Sequence, residues 1–129
     1  MTPAQRILVV EDEDGLAQNV KAYLDRRFSD VRVAANGRHA MELLASFTPD
    51  VLVLDYNLPG ETGLEIYTEI MRRRNSPVGC VMVTGLPLDK ISQSANELGI
   101  HYLLGKPFSL AELHQLIDRS AVDVSHYTQ

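Results

Sequence analysis

The sequence predicts an α/β fold: an open, doubly wound parallel sheet of five strands built as a (βα)5 repeat. Two observations predict it. Short runs rich in Val, Leu and Ile occur without polar alternation, and between them apolar residues recur three and four positions apart. Runs of the first kind suit strands covered on both faces, and the second pattern supplies the amphipathic helices that cover them. Regular alternation of the two gives a parallel sheet with helices on both sides.

The elements follow in order. Ile7 to Val10 opens the chain as a strand and leads to a helical stripe of Leu16, Val20 and Leu24. Val31 to Ala35 is the second strand, followed by Ala40, Leu43, Leu44 and Phe47 at helical spacing. Val51 to Leu54 is the third, with Leu64, Tyr67 and Met71 after it, and Val78 to Val83 the fourth, with Ile91, Ala95 and Leu98. Tyr102 to Leu104 is the fifth, and Leu110, Leu113, Leu116 and Ile117 form the last stripe. Thr62 with Glu65, and Ser109 with Glu112, are capping boxes that place two helix starts, because each pair satisfies two backbone donors otherwise left without partners. Pro49-Asp50 and Ser76-Pro77 close the segments before the third and fourth strands, and Gly99 stops the fourth helix. After Arg119 the periodicity is lost, so residues 120–129 are expected to form a tail or the start of a linker.

Composition narrows the function classes. At 129 residues, 45% hydrophobic and 22% charged, residues 1–129 are expected to form one domain with its core over about 6–119. A net charge of -5 argues against direct nucleic-acid binding, which needs a basic footprint. Cys80 stands alone, so the chain can build neither a disulfide nor a cysteine metal site, and the thiol is expected to be buried. The N-terminal apolar run ends at Glu11, too early for a signal segment or a membrane span, which leads to a cytoplasmic expectation and no membrane partner.

Ligands of such sheets bind at the carboxyl ends of the strands. Those ends carry Glu11 and Asp12, then Asp55, Thr84 and Lys106. Three carboxylates crowded at one rim raise one another's pKa unless cations offset them. Lys106 offsets one, and a divalent cation on an all-oxygen site would offset the rest, which matches Mg2+. Metal and Lys106 would neutralise a phosphoryl group in flight while Asp55 attacks it, and Thr84 would donate its hydroxyl to the attached group. Taken singly, the acidic run is a solvated first turn, Asp55 a cap and Lys106-Pro107 a turn; the specificity lies in their combination and order. His39, His101, His114 and His126 lack ligand spacing, and Arg72-Arg73-Arg74 reads as a solvated helix end.

The set Glu11-Asp12, Asp55, Thr84-Gly85 and Lys106-Pro107-Phe108 resembles the receiver domain of bacterial two-component response regulators, over about Arg6 to Arg119. The resemblance implies a flavodoxin-like strand order 2-1-3-4-5 and a phosphorylation-dependent signalling switch rather than a turnover enzyme. It makes Asp55 the phosphoacceptor, Asp12 a direct Mg2+ ligand, Glu11 an acidic partner acting through water, and Asn57 a ligand through its backbone carbonyl. Thr84 becomes the switch hydroxyl and Lys106 the phosphoryl-binding ammonium, with a cis Lys106-Pro107 bond. The implied partner is a sensor histidine kinase or phosphotransfer protein; a C-terminal effector domain in a longer parent and a homodimer stay open. One position departs from the pattern: many receivers carry an aromatic residue three before the lysine, where this chain has Leu103, with Tyr102 one residue earlier and on the opposite strand face.

Two other readings compete. Haloacid-dehalogenase-like phosphatases also use an aspartate nucleophile after a parallel strand, but need a second aspartate two residues on, where this chain has Asn57, an amide that cannot shuttle the leaving-group proton. A receiver used as a phosphate-independent docking module is the third reading, and the displaced aromatic favours it.

Overall fold

The computed structural model describes residues 5–127 apart from residue 75, with side chains described as far as residue 124. Strands β1 (Arg6–Val10), β2 (Asp30–Ala34), β3 (Val51–Asp55), β6 (Gly79–Thr84) and β7 (Tyr102–Gly105) pair in parallel in the order β2-β1-β3-β6-β7. This is the expected 2-1-3-4-5 order, since β4 (Asn57–Leu58) and β5 (Glu61–Thr62) form a separate two-stranded hairpin. The helices are α1 (Asp14–Asp25), α2 (Gly37–Leu44), α3 (Gly63–Arg72), α4 (Ser92–Glu97) and α5 (Leu110–Tyr127), with a 3-10 turn at Leu88–Lys90 before α4.

Strand alternation splits the core into two layers. Ile7, Val9, Val51, Val53, Val81 and Val83 face α1 and α5, where they meet Val20, Leu24, Leu113 and Ile117. Leu8, Val10, Leu52, Leu54, Cys80 and Met82 face the other way, onto Ala40, Ile66, Ile70 and Ala95. Every residue of β3 and β6 is buried, as expected of central strands covered on both faces. Cys80 is a buried thiol whose burial pushes its pKa up, so it behaves as a small apolar residue.

Both expected capping boxes form. Thr62 N–H donates to Glu65 at 2.9 Å and Glu65 N–H to Thr62 Oγ1 at 3.2 Å, while Glu112 N–H donates to Ser109 Oγ at 3.0 Å. Gly99 ends the α4 region with φ +89. Two boundaries differ from the sequence expectation. Helix α2 stops at Leu44, and Phe47, read as part of its stripe, is buried from the following loop. Helix α5 runs past Arg119 to Tyr127, and Ser120 continues its buried face. Thr128, Gln129 and the His126 side chain lie outside the described residues.

The extension packs. Ser120 is buried beside Gly79, where an added Cβ would come within 2.7 Å of the Ser120 Oγ. One turn later the Tyr102 hydroxyl donates to the Asp123 carboxylate, tying β7 to α5 and raising the Tyr102 pKa through that bond, burial and the Asp123 charge. Removing residues 120–129 is therefore expected to destabilise the domain by about 1–2 kcal/mol. Urea unfolding checks this, and an unchanged midpoint would show that the last turns are merely appended.

Candidate functional site

The parallel sheet delivers its chemistry to one rim. At the ends of β1, β3 and β7, backbone bonds fix the residues that carry side chains there: Glu11 N–H donates to Ala34 C=O at 3.0 Å, Tyr56 N–H to Val83 C=O at 2.7 Å, and Lys106 N–H to Thr84 C=O at 2.7 Å. Asp55 is the last residue of β3 and pairs with Val83, so its carboxylate leaves the sheet where the strand stops. Glu11 and Asp55 are 6% and 5% exposed, an environment in which two carboxylates persist only with cationic help.

Lys106 supplies it. Its Nζ lies 3.0 Å from Glu11 Oε1 and 3.1 Å from Asp55 Oδ2, so one ammonium bridges both carboxylates. Burial works against the charged lysine, yet its bonds to Glu11 and Asp55 outweigh burial and hold its pKa above the ordinary value. For Glu11, burial drives the carboxyl upward; the Glu13 N–H, which donates to Oε2 at 3.1 Å, and Lys106 pull it back, the Asp55 charge adds to the rise, and the net direction is up. The Lys106-Pro107 peptide is cis. Asp12 is exposed, and one oxygen each from Glu11, Asp12 and Asp55 lie within 4.8 Å of one another. A compact all-carboxylate set of this kind fits a hard divalent cation better than zinc or copper.

Thr84 ends β6 and is fully buried. Its Oγ1 accepts from Leu86 N–H at 2.9 Å, so the hydroxyl is engaged with the following loop rather than with Asp55. Asn57 is exposed on the β4–β5 hairpin, opposite Thr62. Gly63 N–H donates to Tyr56 C=O at 2.7 Å, the bond that flanks the Asn57–Thr62 pair, so the Asn57 carbonyl points out of the ladder. Gly60, with φ +80 after Pro59, makes the tight hairpin turn.

Sequence reasoning missed two contributors. Glu13, read within a solvated acidic run, caps α1 by accepting from Gly15 N–H and Leu16 N–H, and its own N–H holds Glu11. An acidic residue before a helical stripe was the available signal. Gly63 is the first residue of α3 and packs against the backbone of Asp55. Elsewhere, Arg72 and Arg73 pair with Glu69, whereas Arg74 bonds Ser76 and the carbonyls of Pro49 and Pro77 and so fastens a loop. His114 packs edge-on against Tyr23 and Phe28. A cleft of about 620 Å³ lies at the other end of β6 and β7, lined by Tyr67, Cys80, Tyr102 and Asp123, away from the carboxylates.

Parallel strand order brings an acidic cluster at the central strand ends and a lysine just past the edge strand together on one rim of the α/β domain. The description "Response regulator receiver domain" matches residues 7–118, and the chain belongs to that family. It is 35% identical over 116 residues to the transcriptional activator protein PfeR of Pseudomonas aeruginosa, a match covering 90% of this chain and 37% of that protein. The chain therefore spans little more than a third of that relative's length. Among solved structures, it resembles the chemotaxis response regulator CheY4 of Vibrio cholerae at 26% identity and a TM-score of 0.81, covering 90% of this chain and 98% of that one. It also resembles the response regulator TrrA of Thermotoga maritima, solved in complex with Mg2+-BeF, at 25% identity and a TM-score of 0.76, with 90% and 98% coverage. Among the described residues no helix is long and apolar enough to cross a membrane.

The raised Glu11 pKa means that its ionised form is less favourable in the folded state than in the unfolded one. Glu11→Gln, which removes the buried charge but keeps only one of the two acceptor oxygens that serve Lys106 and the Glu13 N–H, is expected to raise the unfolding midpoint of the metal-free protein slightly, relief of the buried charge outweighing the one lost bond. Thermal unfolding in chelator checks this; a lower midpoint would show that the Lys106 pair outweighs the cost of burial.

Proposed function

We propose that the receiver accepts a phosphoryl group on Asp55 from a phosphohistidine of a sensor histidine kinase or phosphotransfer protein. The observation that carries the reading is the Lys106 ammonium bridging Asp55 and Glu11 at 3.1 and 3.0 Å on one rim. An ionised Asp55 oxygen attacks phosphorus; the new O–P bond forms as the P–N bond to the donor imidazole breaks, and the imidazole leaves with that electron pair. Lys106 then faces a phosphoryl oxygen as well as the acyl carboxylate. Asp12, Asp55 and the Asn57 carbonyl would hold magnesium, with Glu11 acting through water, and the oxygen-only donor set supports that choice. Bound there, the metal supplies charge neutralisation for the phosphoryl oxygens.

This is self-phosphotransfer followed by autodephosphorylation, in a switch rather than a turnover enzyme. Asn57 stands where a phosphatase would need its acid/base aspartate. The similarity to a transcriptional activator more than twice as long supports a C-terminal effector domain in a longer parent, which would carry any DNA contact, since this domain has a net charge of -5. A homodimer is compatible with such an output, and a cytoplasmic location goes with the same reading.

Asp55 is expected to gain one phosphoryl group from acetyl phosphate only with magnesium present, as read by intact mass. Equal labelling of Asp55→Asn, or labelling indifferent to chelator, would overturn the assignment.

Switching is expected to follow the bonds that Thr84 and Tyr102 now make. If Thr84 turns its hydroxyl toward a phosphoryl group on Asp55 and gives up Leu86 N–H, beryllofluoride with magnesium is expected to expose the Leu86 amide to faster hydrogen exchange. Tyr102 packs with the α1/α5 layer and is held by Asp123, whereas Leu103 packs with the opposite layer. Tyr102 is thus expected to keep its burial on activation; an inward rotation coupled to Thr84, seen by NMR, would contradict this.

A further inference from the structure

We propose that Gly63 is a positioning residue for Asp55: its missing side chain lets the first turn of α3 seat directly on the Asp55 backbone, and that seat sets where the carboxylate points. This rests on the reading of Asp55 as nucleophile and metal ligand. A Cβ built on Gly63 would lie 2.5 Å from the Asp55 carbonyl oxygen, 3.2 Å from its carbonyl carbon and 2.8 Å from Met82 Sδ. The first two are backbone atoms, which cannot swing aside as a side-chain end can.

The backbone is also held from both directions. Gly63 N–H donates to Tyr56 C=O at 2.7 Å, so α3 is fastened to the residue that follows Asp55. The Thr62–Glu65 capping box fixes the start of α3, and Ile66 and Ile70 bury its inner face in the core. On the other side, Asp55 pairs with Val83 and Tyr56 N–H donates to Val83 C=O. A methyl at position 63 therefore cannot be accommodated by sliding α3 outward alone without stretching the Tyr56 bond. The strain falls on the Asp55–Tyr56 peptide, and the carboxylate turns away from Lys106 Nζ, now 3.1 Å distant, and from Asp12 and Glu11. Sub-ångström errors of this kind are costly where several ligands must converge on one small ion.

Gly79 provides the control. A Cβ there would meet Ser120 Oγ at 2.7 Å, Val51 Cγ2 at 3.0 Å and the Ser120 carbonyl carbon at 3.1 Å, a comparable crowding at the opposite end of the strands. Gly63→Ala and Gly79→Ala should both lower the urea midpoint, but only Gly63→Ala should weaken magnesium binding, by about tenfold or more in calorimetry at a temperature where both variants are folded. It should also slow acetyl-phosphate labelling of Asp55. Met82→Val combined with Gly63→Ala removes the sulfur contact, at the cost of a small core cavity, while leaving the clash with the Asp55 carbonyl, so its magnesium affinity should stay as low as that of Gly63→Ala, and it carries the test should Gly63→Ala alone not fold. Magnesium affinity that tracks stability across the three variants, or that returns with the Met82 change, would reduce Gly63 to a packing residue and overturn the proposal. Wild-type protein lacking Asp55-dependent magnesium uptake would instead remove the reading of the site itself, and the proposal with it.

Discussion

Two carboxylates buried side by side at the end of a sheet are tolerable because one lysine lies between them. Without the Lys106 ammonium, Glu11 and Asp55 would each lose hydration and repel the other in a setting where that repulsion is poorly screened. Much of the architecture serves that contact. Lys106 must arrive from an edge strand that runs parallel to the two acidic strands, because only then do all three side chains reach one rim. Its own N–H is bonded to Thr84 C=O, and the strand that delivers it is tied to α5 through Tyr102 and Asp123. The charge balance at the rim thus depends on packing some distance below it.

That balance is incomplete by design of the donor set. Asp12 brings a third carboxylate oxygen into the same 4.8 Å cluster with no described ion-pair partner of its own, so one ammonium faces three acidic groups. An arrangement carrying excess negative charge has a stability cost that a bound divalent cation would relieve. The two apolar layers beneath, between which every residue of the central strands β3 and β6 is buried, provide the rigidity against which such strain can be held.

Most of the fold was legible because its signals are local. Unbroken Val, Leu and Ile runs, helical stripes and capping boxes each depend on neighbours within a few residues, and the strand ends followed from them. Asp55, Thr84, Lys106, Glu11 and Asp12 could therefore be placed at strand ends from sequence, although the Lys106 bridge itself joins residues 51 and 95 positions apart. What escaped reading depends on distance in space. Gly63 looks like any turn glycine until α3 is docked on Asp55. The last turns of α5 look like a polar tail until Ser120 meets Gly79 and Asp123 meets Tyr102. The β4–β5 hairpin is too short to show a strand period at all.

The displaced aromatic follows from strand parity. Tyr102 shares a face of β7 with Leu104, and both pack in the α1/α5 layer, while Leu103 lies in the layer that includes Ile91, Ala95 and Ile100 beside α4. No bulge intervenes, because Tyr102 to Gly105 pair in unbroken register with Val81 to Thr84. A ring at position 102 therefore cannot reach the space beside α4 without reversing the strand's faces, which the buried register forbids. Its hydroxyl finds a carboxylate on α5 instead. The edge strand consequently connects the Lys106 end of the rim to the last turns of α5 by one continuous backbone, and the group that faces α4 at the same level is a leucine without a polar handle. In this chain, strain placed on Lys106 or Thr84 meets a hydrogen-bonded tyrosine on the α5 side and plain apolar packing on the other.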